Sequence, residues 1–180
     1  MSACPACEAR TRAAGPPVVC LAGNPNVGKS SLFNRLTGSA CETANCAGVT
    51  TEATTVCTQW SGDRVEVVDL PGVYGLDVSG GDQEAARAAL LTTQPDVVVA
   101  VVDATNLARN LYLVLHLLDL GYRVVVALNL VDEARRRAVE VDAGRLAEGL
   151  GVPVVPTVAP RGEGVDELTA TVLRVIASTN

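Results

Sequence analysis

The chain has 180 residues, of which 48% are hydrophobic, 19% charged and only 3% aromatic. That is material for one buried core, and it excludes a disordered tail; a core of Val, Leu and Ala suits buried parallel strands better than an aromatic-rich sandwich. The formal net charge of −6 lacks the basic footprint that displaces counterions from phosphates, so no nucleic-acid partner is expected.

Residues 1–17 read as an Ala- and Pro-rich tail, and residues 18–180 as one domain. From Val18 onward β-branched runs alternate with helical stretches, the pattern of an α/β fold with a mostly parallel sheet. Val18–Ala22 is a buried strand, Gly28–Leu36 a helix stopped by Gly38, and 39–50 a loop. Thr51–Trp60 and Arg64–Asp69 form a hairpin around the turn Ser61–Asp63. A glycine-rich loop from Pro71 to Gly81 precedes a helix over Asp82–Thr92 and an apolar strand over Val97–Val102. Asn106 is a good N-cap for a helix over Leu107–Leu120, which Gly121 ends. A strand over Arg123–Leu128, a helix near Asp142–Leu150, a strand over Val152–Val155 and a helix from Gly164 to about Ser178 complete the chain. No run approaches the roughly 20 apolar residues of a membrane span, and no secretory signal is present, so this piece is expected to be soluble and cytosolic.

Gly23–Asn24–Pro25–Asn26–Val27–Gly28–Lys29–Ser30 matches G-x-x-x-x-G-K-[ST] between a strand and a helix, the context that confirms a phosphate loop. Gly23 and Gly28 let the backbone wrap a phosphate, and the amides through Asn24, Asn26, Val27 and Ser31 point at it. Lys29 is the single lysine among 14 basic residues; it reaches the β- and γ-phosphates as a compact charge. The Ser30 hydroxyl is a hard ligand for Mg²⁺.

Asp69–Leu70–Pro71–Gly72 fits D-x-x-G, with Asp69 holding Mg²⁺ through water and the Gly72 amide touching a γ-phosphate. Asn129–Leu130–Val131–Asp132 fits N-x-x-D, in which the Asp132 carboxylate accepts from guanine N1–H and N2–H₂ and rejects adenine. The usual lysine over the base is replaced by Leu130. Thr157–Val158–Ala159–Pro160 stands where guanine-binding domains read S-A-[KL]; the serine is gone, and the Ala159 amide is expected to meet guanine O6. Loops 39–50 and 71–82 are the expected switches. Thr50 is the candidate second Mg²⁺ ligand, with Thr51 as runner-up. Val73 stands where many GTPases carry a water-orienting glutamine; valine cannot orient water, so slow turnover is expected.

In these motifs the chain resembles the N-terminal G domain of the FeoB family of bacterial ferrous-iron transport proteins. The stretches that carry the resemblance are 23–38, 47–52, 67–76, 95–121, 127–137 and 152–168; DLPGVY and DATNLARNLYL set it apart from the ribosome-assembly and tRNA-modification GTPases, which share only the general motifs. The resemblance implies a GTPase at the cytoplasmic face of the bacterial inner membrane, controlling Fe²⁺ passage. Its implied partners are the helical and transmembrane parts of the same full-length transporter and small Feo accessory proteins. It also implies K⁺ activation, with Asn26 matching the asparagine that ligates K⁺ in the family.

The reading is therefore a Ras-like α/β P-loop GTPase domain with a six-stranded, mostly parallel sheet and helices on both faces. It turns GTP into GDP and phosphate with Mg²⁺ and K⁺, and the groups at the chemistry are Lys29, Thr50, Gly72 and Asn26. Two alternatives are an Era-type RNA-associated GTPase, which would need a basic extension, and a metal-sensing switch. For the latter, Cys4 and Cys7 form C-x-x-C, and Cys41 and Cys46 in the first switch would complete a Zn or Fe site. Cys20 and Cys57 are read as core fillers, His116 as a satisfied helical residue, and Trp60 is given no functional role.

Overall fold

The computed structural model describes residues 15–38, 54–76 and 81–178. In chain order these form β1 (Val18–Gly23), α1 (Lys29–Thr37), β2 (Thr54–Trp60), β3 (Asp63–Asp69), α2 (Gly81–Thr93), β4 (Val97–Asp103), α3 (Leu107–Asp119), β5 (Val124–Asn129), α4 (Val131–Arg136), α5 (Ala143–Leu150), β6 (Val154–Pro156) and α6 (Val165–Ala177). The sheet has six strands in the order β2-β3-β1-β4-β5-β6. Only the β2–β3 hairpin is antiparallel; every other pairing is parallel.

Strands apolar at every position need cover on both sides. In β4, Val98, Ala100 and Val102 face one layer, and Val97, Val99 and Val101 the other. The first layer holds Ala86, Ala89 and Leu90 of α2 with Leu113, Val114 and Leu117 of α3. The second holds Leu32, Phe33 and Leu36 of α1 with Leu168 and Val172 of α6. Trp60 belongs to this second layer, and its indole N–H donates to Leu36 O at 2.9 Å, tying the hairpin to the end of α1. Cys20 is fully buried, as expected of a core filler, whereas Cys57 is only half-buried because β2 is the sheet edge.

Three local expectations need correcting. In the six-residue helix α4, Leu130 at φ 62 takes the N-cap position and Asn129 stands one residue before it, so the usual start signal is missing. Asn106 does occupy the N-cap of α3, but its side chain makes no cap bond. Instead the Asp103 carboxylate accepts from the Thr105 N–H at 2.7 Å and from its hydroxyl at 2.8 Å. The last strand is Val154–Pro156 rather than Val152–Val155, because its register is set by Val126–Leu128 of β5.

Gly164 precedes α6 at φ 76, and a Cβ there would stand 2.0 Å from Pro156 O. Gly164→Ala therefore meets both left-handed strain and the backbone of β6. It is expected to lower the unfolding free energy by about 3 kcal/mol, read by chemical denaturation; a loss below about 1 kcal/mol would contradict this packing.

Candidate functional site

Strand β1 lies between β3 and β4, so the connections leave it in opposite directions. In an open α/β sheet such a point leaves a crevice beyond the carboxyl ends of the strands, where ligands bind. The turn from β1 to α1 fills the floor of that crevice with the Gly23–Ser30 loop. Asn24 and Val27 are buried, Asn26 is exposed at φ 68, and Gly28 sits at φ 84. A Cβ on Gly28 would lie 2.3 Å from Asn129 Nδ2, so this glycine also lets the end of β5 approach the phosphate loop. Ser30 and Ser31 are exposed in the first turn of α1.

The Lys29 ammonium is ion-paired with the Asp69 carboxylate at the end of β3. Beyond that strand the β3–β1 ladder continues, with Leu70 N–H donating to Leu21 O and Val73 N–H to Gly23 O, both at 3.1 Å. The Val73 side chain is 2% exposed and points into the core. Farther along, the Arg109 guanidinium lies 4.1 Å from the centre of the Tyr74 ring. Leu76 N–H donates to His116 Nδ1 at 3.4 Å. Helix α3 thus holds the start of the 71–82 loop, and it touches the phosphate loop through Asn24 Nδ2, which donates to Arg109 O at 3.4 Å.

Asn129, at the end of β5, is fully buried and joins three segments. Its Nδ2 donates to Val27 O at 2.9 Å, and its Oδ1 accepts from Ala159 N–H at 3.0 Å and from the Thr157 hydroxyl at 3.2 Å. The Ala159 amide, expected to meet a base, is thus engaged within the protein. Val158 is buried, with its own N–H donating to Glu163 O at 3.0 Å. Leu130 is half-buried. Asp132 is partly exposed, with Arg136 at 3.7 Å and Arg161 at 3.8 Å from its Oδ2. On the same helix the hydrogen bond from Arg137, then the Arg136 charge, hold the Glu133 carboxyl below the usual carboxylate range.

One residue outside the motifs also shapes the site. Arg35, in the last turn of α1, donates through Nε to Ala159 O at 3.2 Å and through a terminal nitrogen to Pro160 O. Its signal in the sequence is only a basic residue at a helix end, which fits many surface roles. Gly23, Asp69 and Asn129 end β1, β3 and β5, and Gly28, Lys29, Gly72 and Asp132 lie in the loops and helix starts that follow those ends. Thr50, Thr51, Cys4, Cys7, Cys41 and Cys46 lie outside the described residues. Among the described residues, no three of His, Cys, Asp or Glu gather as a metal site, and no helix is long and apolar enough to cross a membrane.

A glycine loop with one lysine at its helix start, an aspartate facing it from β3 and an N-x-x-D turn after β5 define a P-loop domain of the G-domain class. The chain belongs to the FeoB N-terminal domain family, whose model, described as ferrous iron transport protein B, matches residues 17–172. It is 43% identical over 164 residues to the Fe(2+) transporter FeoB of Salmonella typhimurium, covering 89% of this chain and 21% of the relative. The Escherichia coli K12 transporter is 42% identical over the same length and coverage. The chain thus spans about a fifth of the curated relatives it matches. Among solved structures, the FeoB G-domain from Methanococcus jannaschii superposes with a TM-score of 0.79 at 39% identity, covering 90% of this chain and 98% of that one. The cytosolic domain of T. maritima FeoB in a GDP form superposes with a TM-score of 0.83 at 38% identity, over 92% of this chain and 65% of that one.

Proposed function

We propose that residues 18–180 bind GTP and hydrolyse it slowly to GDP and phosphate, as the cytoplasmic regulatory domain of a Fe²⁺ transporter of the bacterial inner membrane. The observation that carries this reading is the Asn129 junction, which binds Val27 of the phosphate loop and Ala159 of the base loop through one side chain. Asp132 follows Asn129 three residues later, and in this reading its carboxylate selects the donor edge of guanine over adenine. The family membership supports the transporter context, and the neighbouring structure titled as a GDP form supports the nucleotide class.

In this reading the amides of Asn24 and of Asn26 through Ser31, with the start of α1, cradle the phosphates. Lys29 moves from Asp69 to the β- and γ-oxygens, and the Gly72 amide meets the γ-phosphate. Ser30 and Asp69 offer exposed or partly exposed hard oxygens near one loop, a donor set that suits Mg²⁺, with Thr50 as the further ligand. Mg²⁺ there, and K⁺ at the exposed Asn26, would supply positive charge to the bridging and terminal phosphate oxygens. Val73 is buried and supplies no polar group for water, so attack relies on water placed by the 39–50 loop or a partner.

The test is the GTP hydrolysis rate in KCl and in NaCl at equal ionic strength. K⁺ is expected to raise the rate on the order of tenfold to a hundredfold, the range of a preorganised charge, and Asn26→Ala to remove the difference. Equal rates in the two salts would reject the Asn26–K⁺ assignment while leaving the GTPase reading in place; no hydrolysis in either salt would reject that reading.

A further inference from the structure

The stretch DLPGVY ends on Tyr74, and DATNLARNLYL carries Arg109 near its centre. Neither residue belongs to a nucleotide-binding motif, yet the fold brings them together. The Arg109 guanidinium lies 4.1 Å from the centre of the Tyr74 ring, within the range of attraction between a cation and an aromatic face. Arg109 is the third residue of α3, where the positive end of the helix dipole opposes a cation. Local preference does not account for an arginine there; the ring facing it supplies a compensating attraction.

The contact lies on a segment held from two sides. On the sheet side, Val73 N–H donates to Gly23 O at 3.1 Å. A Cβ on Gly72 would stand 3.4 Å from the Pro25 backbone, so the segment also packs closely against the phosphate loop. On the helix side, Tyr74 meets Arg109, and Leu76 N–H donates to His116 Nδ1 at 3.4 Å. The Arg109 carbonyl accepts from Asn24 Nδ2 at 3.4 Å, so this residue meets the phosphate loop and the segment through different atoms. In the same arrangement Lys29 is paired with Asp69. The position of the segment is therefore the one that goes with a lysine engaged by a carboxylate.

Resting on the GTP reading above, we propose that Arg109 is a positioning residue for the 71–82 loop: its guanidinium holds Tyr74, and with it Gly72, back from the γ-phosphate, and lets go when the triphosphate binds. A diphosphate has no γ-oxygens to draw the Gly72 amide, so it leaves the contact intact. The cost of breaking the contact then falls on the triphosphate alone. Arg109 acts through Tyr74 on the discrimination between GTP and GDP and touches neither nucleotide.

Isothermal titration of the full chain with GDP and with β,γ-imido-GTP, both with Mg²⁺, tests this through the ratio of the two affinities. Arg109→Ala removes the guanidinium and keeps the carbonyl that Asn24 binds. It is expected to shift the ratio about two- to fivefold toward the triphosphate, the range of an exposed cation–π contact. Tyr74→Leu is expected to shift it to the same extent, and the double variant no further than either single change. Tyr74→Phe keeps an aromatic face and is expected to keep the wild-type ratio. An unchanged ratio in Arg109→Ala would overturn the proposal, as would a shift toward the diphosphate or single shifts that simply add. Equal weakening of both nucleotides with a lowered melting temperature would also overturn it, assigning Arg109 to holding α3 in place. A wild-type chain that binds neither nucleotide would remove the GTP reading itself, and this proposal with it.

Discussion

Lys29→Ala is expected to abolish measurable GTP hydrolysis while leaving the chain folded. Lys29 is the sole lysine, its side chain is 11% exposed, and it stands between the phosphate loop and Asp69. Removing it withdraws the ammonium paired with Asp69 and leaves that carboxylate facing an anionic ligand. Losing hydrogen bonds to a charged group weakens GTP binding by about 1.5–3 kcal/mol. The rate of bound GTP should fall on the order of a hundredfold to a thousandfold, as when a preorganised stabilising group is deleted. Arginine is not a substitute here, since its broad, planar head does not fit where a compact ammonium reaches into a tight turn. Single-turnover hydrolysis and titration with GTP and GDP measure both effects. A Lys29→Ala chain that hydrolyses GTP within about threefold of wild type would remove lysine from the chemistry.

Asn129→Ala is expected to damage stability and nucleotide binding together. The substitution leaves Val27 O, Ala159 N–H and the Thr157 hydroxyl in the interior without the group that satisfies them. Each orphaned buried group costs about 1–3 kcal/mol, so a total near 4 kcal/mol is reasonable after partial relaxation. For a chain of this size that lowers the melting temperature by roughly 8–16 °C. Thr157→Val removes only one of the bonds and should cost about 1 kcal/mol. The difference between the two variants, measured by urea unfolding, isolates the amide bridge from the hydroxyl. An Asn129→Ala protein within about 1 kcal/mol of wild type would mean that the two loops do not depend on this side chain.

The sequence disclosed the architecture well because its strands are apolar at consecutive positions. Val97–Val102 can only be a strand covered on both sides, and it proves to feed both layers of the core. The phosphate loop was legible for a related reason. Gly23 and Gly28, a lysine and a hydroxyl at fixed spacing have few other uses between a strand and a helix. What local pattern concealed were long-range bonds. The engagement of Ala159 N–H depends on Asn129, 30 residues away. The clamp from Arg35 spans 124 residues, and no short window contains both partners. Helix α4 was hidden because Leu130 adopts a left-handed conformation where the usual capping residues are absent. Tertiary contacts, not local preference, hold the base loop and start that helix.

The bond from Val73 N–H to Gly23 O extends the β3–β1 ladder past the end of the strand, with the Val73 side chain buried beside it. Any displacement of this segment from Gly23 breaks one backbone hydrogen bond and brings a valine into water, together about 3 kcal/mol. Without ligand, roughly one molecule in a hundred or fewer would hold the displaced form. A nucleotide that favours displacement must bind that form on the order of a hundredfold more tightly merely to bring the two populations level. The central sheet therefore sets the resting side of the equilibrium, and the difference in affinity between triphosphate and diphosphate decides whether it is ever left.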